Sequence, residues 1–458
     1  MKIAFADAVE ATQAAVFDPE SAPRELRVVT DTRALRPGDT FLALRGERFD
    51  GHAFVADAVS KGASAVFIDD PNARIAGSTA CVVPDTLGAY MALAGLSRKR
   101  FRGRVLAITG SAGKTTTKFF CAQLLATRYG ERIAVSPANE NNEIGVSKLL
   151  LRASNDAHDI VVVEMGARHF GDIAALTAIA RPDVAVLTNI GDAHIEIMGS
   201  RERLEATKWA IFESGAQAVA NASDAATRAR SDTLGGEPHW FFSSREGVVL
   251  PAEPRVTALV GRSRLIDIEG GVARERRVDV RVPGEHNCAN LAAAAAASLE
   301  CGADFVAVAE ALGGVELPKG RYEVVELDGI RLIYDAYNAN AGGMIAAIDA
   351  FALEPAERRI ALLSSMAELG EAAPELHRRV GAHVAASKID VALFGGDFAD
   401  DLEGGAKRAG LSSERIVRFA TNLDAVAWLR AHGRRGDAVL LKGSRKYKLE
   451  EIVEELRG

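Results

Sequence analysis

The sequence predicts an α/β protein of three domains. A small α/β domain is expected over 1–100, a central parallel sheet with an antiparallel lobe over 101–317, and a further open α/β sheet over 318–458. Three observations predict this. The apolar run Val105–Ile108 leads through a glycine turn into the helix-like Phe119–Leu125. Short apolar runs of strand length alternate with helical patterns through all three segments. At about 150 residues per domain, 458 residues suggest three such units.

In the first segment, Asp39–Leu44 and Ala65–Ile68 read as strands, with a short helix over His52–Lys61 closed by Gly62. Thr32 and Arg33 precede the Pro37-Gly38-Asp39 turn, in loops that suit a phosphorylated ligand or simply a solvated surface. Arg98–Arg102 reads as a linker.

The central segment opens on Thr109-Gly110-Ser111-Ala112-Gly113-Lys114-Thr115-Thr116. Glycines let backbone N–H groups face phosphate oxygens, and the helix N-terminus adds partial positive charge. Lys114 would reach the β- and γ-phosphates, and the Thr115 hydroxyl would ligate Mg²⁺. Next come an asparagine-rich loop, Asn139 to Asn142, and two apolar strands. Ile160–Val163 ends in Glu164, and Val184–Leu187 is followed by Asn189 and His194. Ligands of doubly wound sheets bind at strand carboxyl ends, so Lys114, Glu164 and His194 are expected to converge. Lys208 falls in a helical stretch, where the residues alone suggest an exposed lysine pairing with Glu205 or Glu213. Residues 219–283 read as a small antiparallel lobe. Asn287 and Asn290 open the helix that follows, one as a cap and one within reach of a base edge.

Pro318–Arg321 reads as the second linker. The last segment has strands at Ile330–Asp335, Ile360–Leu363, Val391–Phe394 and Ala438–Leu441. Their ends carry Asp335, Tyr337, Asn338 and Asn340, then Glu368 and His377, then Lys442, Ser444 and Arg445. A site facing the central domain follows.

Composition narrows the function. A net charge of −7 with no long basic run excludes nucleic acid as a partner. The four cysteines form no C-x-x-C pair and read as reduced core residues. There is no apolar run of about 18 residues and no basic n-region before an apolar stretch, so a cytoplasmic protein without stable membrane contact is expected.

Taken together, these motifs closely resemble the Mur ligases of peptidoglycan synthesis across essentially the whole chain. The matching residues are Thr109–Thr116, Glu164–Ala167, Asn189–Gly191 with His194, Lys208, and His286-Asn287 with Asn290. Asn139–Val146, Tyr337–Asn340, Lys442–Arg445, Pro37–Asp39 and Asp50–His52 look like signatures of the branch that adds D-Ala-D-Ala. The resemblance implies a three-domain architecture: a UDP-sugar substrate-binding domain, a P-loop ATPase-type ATP-binding domain and a Rossmann-like C-terminal ligase domain. It implies an ATP-dependent monomer that joins D-Ala-D-Ala to UDP-N-acetylmuramoyl-tripeptide through an acyl phosphate. A related ligase with another amine acceptor, or a non-catalytic nucleotide-binding module, are the alternatives.

By resemblance, Gly110, Ser111, Ala112, Gly113, Lys114, Thr115 and Thr116 hold the phosphates, while Asn287, Asn290, Arg321 and Asp335 hold adenine and ribose. Thr115, Glu164, His194 and a CO₂-carbamylated Lys208 serve two Mg²⁺ ions, with Lys114, Lys208 and His194 catalytic. Thr32, Arg33, Asn139, Asn141, Asn142, Tyr337, Asn338, Asn340, Lys442 and Ser444 touch substrate. The chain departs from the family pattern at Ala341-Gly342-Gly343, where a looser turn is expected, and at Ser147-Lys148 and Ser364-Ser365.

Overall fold

A computed structural model describes residues 2–46, 49–191, 198–234, 239–242, 255–269 and 272–458. Among them the long strands fall into three sheets of five, nine and six strands, in chain order.

Val105–Ile108 is apolar throughout because its strand, Arg104–Thr109, lies mid-sheet with both faces covered. It pairs in parallel with Ile160–Glu164 on one side and Val184–Leu187 on the other. Successive side chains alternate between faces. Val105, Ala107, Val161 and Val163 pack with helices Thr86–Arg100, Glu143–Arg152 and Asp172–Ala180. Leu106, Ile108, Ile160 and Val162 pack on the other face with Lys114–Tyr129 and the alanine-rich Glu285–Glu300. Small side chains let the latter helix lie close under the sheet, fully buried from Leu291 to Ala297.

The antiparallel segment is not a separate lobe. Gln217–Asn221, His239–Phe242 and Val256–Leu259 continue the central sheet in parallel. Only Val256–Leu259, Arg262–Glu269 and Val272–Asp279 pair antiparallel, as an extension of the same edge. Arg98 is not a free linker either. It lies in the last turn of the helix Thr86–Arg100 and donates to the carbonyls of Ala180 and Arg181 and to Asp183, docking that helix on the central sheet.

In the last sheet, Ile330–Tyr334, Asp437–Lys442, Arg358–Leu363, Val391–Phe394 and Ile416–Arg418 run parallel, with Glu323–Leu327 antiparallel at one edge. Asn340 accepts from the Gly343 amide at 2.7 Å and caps the helix Ala341–Phe351, so the expected looser turn is an ordered helix start. No helix among the described residues is long and apolar enough to cross a membrane.

Candidate active site

The parallel register fixes the site. Ile108 lies opposite Glu164, so the chain leaves its strand for the glycine loop next to that carboxylate. Gly110 takes φ 149° and Gly113 φ 82°. A Cβ on Gly113 would stand 2.1 Å from Asn290 Oδ1, which makes glycine obligatory there.

Gly113 caps the helix Lys114–Tyr129 with no side-chain acceptor. The first amides of that helix therefore have no intrahelical partner and face outward as a set of donors. The Ser111 and Ala112 amides differ: they donate to Asn189 O and Oδ1, each at 3.0 Å. Asn189 Nδ2 returns a bond to Ala112 O, so Asn189 clamps the loop from the neighbouring strand end.

Glu164 is almost fully buried. Thr115 Oγ1 donates to its Oε1 at 3.2 Å, Asn141 Nδ2 donates to the same oxygen at 2.9 Å, and Lys118 Nζ stands 2.9 Å from Oε2. Burial pushes the carboxyl up, but Lys118 and Lys114 outweigh it and hold Glu164 ionised. Lys118 also donates to Ala138 O, pinning the asparagine loop. Sequence reasoning missed this residue. Its signal was the i, i+4 spacing from Lys114, which puts both lysines on one helix face.

Lys208 overturns the reading from residue types alone. It is 1% exposed, and among the described residues it pairs with neither Glu205 nor Glu213; Glu205 is taken by Arg201. Burial, with Lys114 as a second cation nearby, brings its ammonium down to about 7. Lys114 itself is lowered by burial and by Arg321, against the pull of Glu164. Its Nζ donates to Gly110 O at 2.8 Å. Lys114, Glu164 and Lys208 are thus gathered around one loop; His194 lies outside the described residues.

Asn287 is not the helix cap. Gly284 holds that position, at φ 77° and again with no side-chain acceptor, and Asn287 Nδ2 donates to Pro283 O. Asn290 Oδ1 instead accepts from Thr117 at 3.4 Å, beside Gly113. Asp335 forms a buried pair with Lys442 at 2.9 Å. The Arg321 guanidinium lies 4.6 Å from the Tyr337 ring centroid, with Arg445 at 5.3 Å. Asn338 accepts from the Ala339 amide, and Ser444 is buried, its amide on Ser365 O.

The asparagines divide. Asn141 joins Glu164, Asn142 caps the helix Glu143–Arg152, and Asn139 is exposed. Arg33 is exposed and bound to Asp31, whose carboxyl also feels the charge of Lys148 from the far side of the domain boundary. Thr32 is buried beside them, its carbonyl accepting from Lys61.

Three family models match the chain: "Mur ligase family, catalytic domain" at 27–89, "Mur ligase middle domain" at 108–298 and "Mur ligase, glutamate ligase domain" at 320–445. The UDP-N-acetylmuramoyl-tripeptide--D-alanyl-D-alanine ligase of Synechocystis is 36% identical over 94% of this chain and 91% of its own length. The chain belongs to the Mur ligase family. Among solved Mur ligases, MurF from Acinetobacter baumannii superposes with a TM-score of 0.86 at 27% identity, covering 100% of this chain and 99% of that one. MurF from Thermotoga maritima, solved in complex with ADP, gives 0.79 at 27% identity over 94% and 96%.

The donor set of this Mur ligase fits a nucleotide and Mg²⁺. The uncapped amides, Lys114 and Arg321 leave the loop positive with no carboxylate of its own to answer it. Magnesium sites commonly pair one or two protein oxygens with phosphate oxygens and water, and Thr115 with Glu164 supplies such a pair.

His286, at the start of its helix, gives a pH signature. Burial lowers its imidazole from 6.5 to about 4; Asp335 and Asp349 oppose that shift, while Lys442 and Arg321 reinforce it. As pH falls through 6.5, the unfolded chain takes up a proton that the folded chain refuses. Stability present above pH 6.5 is therefore expected to decline towards pH 4, by about 3 kcal/mol. His286→Gln should flatten that limb in urea midpoints measured against pH; an unaltered limb would assign it to another group.

Proposed function

We propose that this chain is an ATP-dependent amide ligase that joins D-Ala-D-Ala to UDP-N-acetylmuramoyl-tripeptide in the cytoplasm, acting as a monomer. The observation that carries the reading is the gathering of Lys114, Glu164 and a buried Lys208 around an uncapped Gly-Lys-Thr loop, in a chain with full-length D-alanyl-D-alanine-adding relatives.

A carboxylate and an amine do not condense in water without activation. The tripeptide carboxylate oxygen takes the γ-phosphoryl of ATP, and ADP leaves. The amine nitrogen then attacks the carbonyl carbon and the C–O bond to phosphate breaks. Of the two protons the ammonium loses, one leaves with phosphate and one goes to solvent. Such chemistry needs chiefly positioning and neutralisation of charge. The amides of Gly113 to Thr116 and Lys114 hold the phosphates, and Arg321 brings a further cation from the C-terminal domain. Thr115 and Glu164 would hold one Mg²⁺ and His194 with Lys208 a second, supplying Lewis-acid neutralisation of the phosphoryl oxygens. Lys118 keeps Glu164 ionised. Thr32, Arg33 and the 139–142 loop border the sugar-peptide site, and Tyr337, Asn338, Asn340, Lys442 and Ser444 border the acceptor side.

Lys208 carries the finer reading. A lysine near 7 has much of its amine neutral at physiological pH, as attack on CO₂ requires. The carbamate is anionic, which suits a position beside Mg²⁺ better than an ammonium does.

Phosphate release from ATP, measured with UDP-N-acetylmuramoyl-tripeptide in the presence and absence of D-Ala-D-Ala, tests the function. Release is expected only with both substrates, giving a product heavier by the dipeptide. Release that ignores the dipeptide but follows another amine would reassign the acceptor.

A further inference from the structure

Lys442 ends the strand Asp437–Lys442, which lies mid-sheet in the C-terminal domain beside the strand Ile330–Tyr334. The residue is almost wholly buried. An unpartnered ammonium would be costly there, and this one is answered entirely from within the chain. Its Nζ stands 2.9 Å from Asp335 Oδ2, donates to Asp335 O at 2.9 Å and donates to Asn338 O at 3.2 Å. An ammonium has three donors and no acceptor, so three oxygens use it up. Lys442 borders the acceptor side, yet it has no donor left to offer a substrate there.

The three oxygens belong to one turn. Asp335 and Asn338 bound the segment that leaves the strand Ile330–Tyr334, and the ammonium ties both ends of that segment to the neighbouring strand. Tyr337 lies inside the turn. Its amide donates to Gly320 O at 3.2 Å, and the Arg321 guanidinium lies over its ring. The turn thus fixes two charged groups, the Asp335 carboxylate directly and Arg321 through Tyr337. Both face the central domain. The Arg321 charge bears on Lys114 of the glycine loop, and Asp335 and Arg321 bear in opposite directions on His286. Only one oxygen of the Asp335 carboxylate is taken by Lys442; among the described residues Oδ1 has no hydrogen-bond partner. A carboxylate held through one oxygen and open at the other, beside the nucleotide loop, is an acceptor for sugar hydroxyls.

We propose that Lys442 is a positioning residue for the nucleotide and a ligand of neither substrate that is joined. It aims Asp335 Oδ1 and holds the turn under Arg321, so that the carboxylate and the guanidinium reach ATP together. The assignment rests on the ATP-dependent function proposed above.

Steady-state kinetics of the full-length enzyme test it, with ATP, the sugar-tripeptide and D-Ala-D-Ala varied in turn, in Lys442→Met, Asp335→Asn and the double variant. Lys442→Met should raise KM for ATP by about tenfold, the scale of one charge-assisted hydrogen bond. KM for D-Ala-D-Ala and for the sugar-tripeptide should stay within about twofold. The double variant should have a KM for ATP no higher than that of Lys442→Met, because the lysine acts through the carboxylate. Lys442→Met leaves Asp335 buried without its partner and can fail to fold, whereas the double variant strands no charge. In that event the double variant is compared with Asp335→Asn, and KM for the dipeptide should be the same in both. A rise in KM for the dipeptide in either comparison makes Lys442 an acceptor ligand and overturns the proposal. So does a uniform rise in all three KM values, or a fall in kcat with all three unaltered. If wild type joins a different amine, the acceptor reading fails, and Lys442 is judged by the same KM values measured with that amine.

Discussion

Lys208→Met is expected to abolish most of the turnover while making the protein harder to unfold. Both effects have one cause. An ammonium in the folded chain is held at about 7 by burial, against 10.5 in water. Between those values the unfolded chain binds a proton that the folded chain does not, so stability rises with pH from about 7 to 10.5 and is depressed below 7. The shift corresponds to an upper bound of about 5 kcal/mol. Methionine fills similar volume without the charge, so in bicarbonate-free buffer the variant should gain part of that energy in urea unfolding at pH 7. Activity should fall by about two to three orders of magnitude, the range seen when one preorganised electrostatic partner of a transition state is lost. Wild type should be stimulated by bicarbonate and show a carbamate carbon resonance with ¹³C-bicarbonate, both absent from the variant. A stabilised variant that kept its turnover would remove Lys208 from the chemistry.

Lys118→Met is expected to act in the opposite direction on stability. Lys118 and Glu164 are both nearly inaccessible and 2.9 Å apart. Removing one member of such a pair strands the other charge, at a cost of about 3–5 kcal/mol. The carboxyl of Glu164 should then rise, which would weaken the Mg²⁺ site proposed above and loosen the Ala138–Asn141 loop that Lys118 and Glu164 pin. Lys118→Met/Glu164→Gln should recover much of the lost stability, since no buried charge is then left alone. Urea denaturation of the singles and the double decides it. A Lys118→Met protein as stable as wild type would mean that Glu164 finds another partner.

The contrast between these lysines shows what the sequence conveys. Strand Arg104–Thr109, the glycine loop and Glu164 were legible because each leaves a local mark: a continuous apolar run, glycines where φ is positive, and a carboxylate at a strand end. Lys208 leaves none, and Lys118 only its i, i+4 spacing from Lys114. Both sit in ordinary helical surroundings, and only tertiary packing buries them. The same limit explains the antiparallel segment, whose short strands were visible although their union with the central sheet was not. It also explains Asn287, since two asparagines and a glycine near one helix start offer several caps and only the backbone geometry selects Gly284. Glu368 stood out in the sequence only as a polar residue after a strand; its left-handed backbone belongs to the fold.

Two helices begin side by side at this site, and both begin on a glycine of positive φ without a side-chain acceptor: Gly113 for the helix Lys114–Tyr129 and Gly284 for the helix Glu285–Glu300. Gly284 also packs against Ala350 of the C-terminal domain. The two positive helix ends, with Lys114 and Arg321, meet where two domains adjoin, and Glu164 offsets only part of that charge. The triphosphate is therefore a structural member as well as a reactant, a keystone of opposite charge. At a nucleotide concentration of 100 times its dissociation constant, the arch it closes would gain about 2.7 kcal/mol. Release of the nucleotide removes that counter-charge and leaves Glu164 to face Lys114 alone.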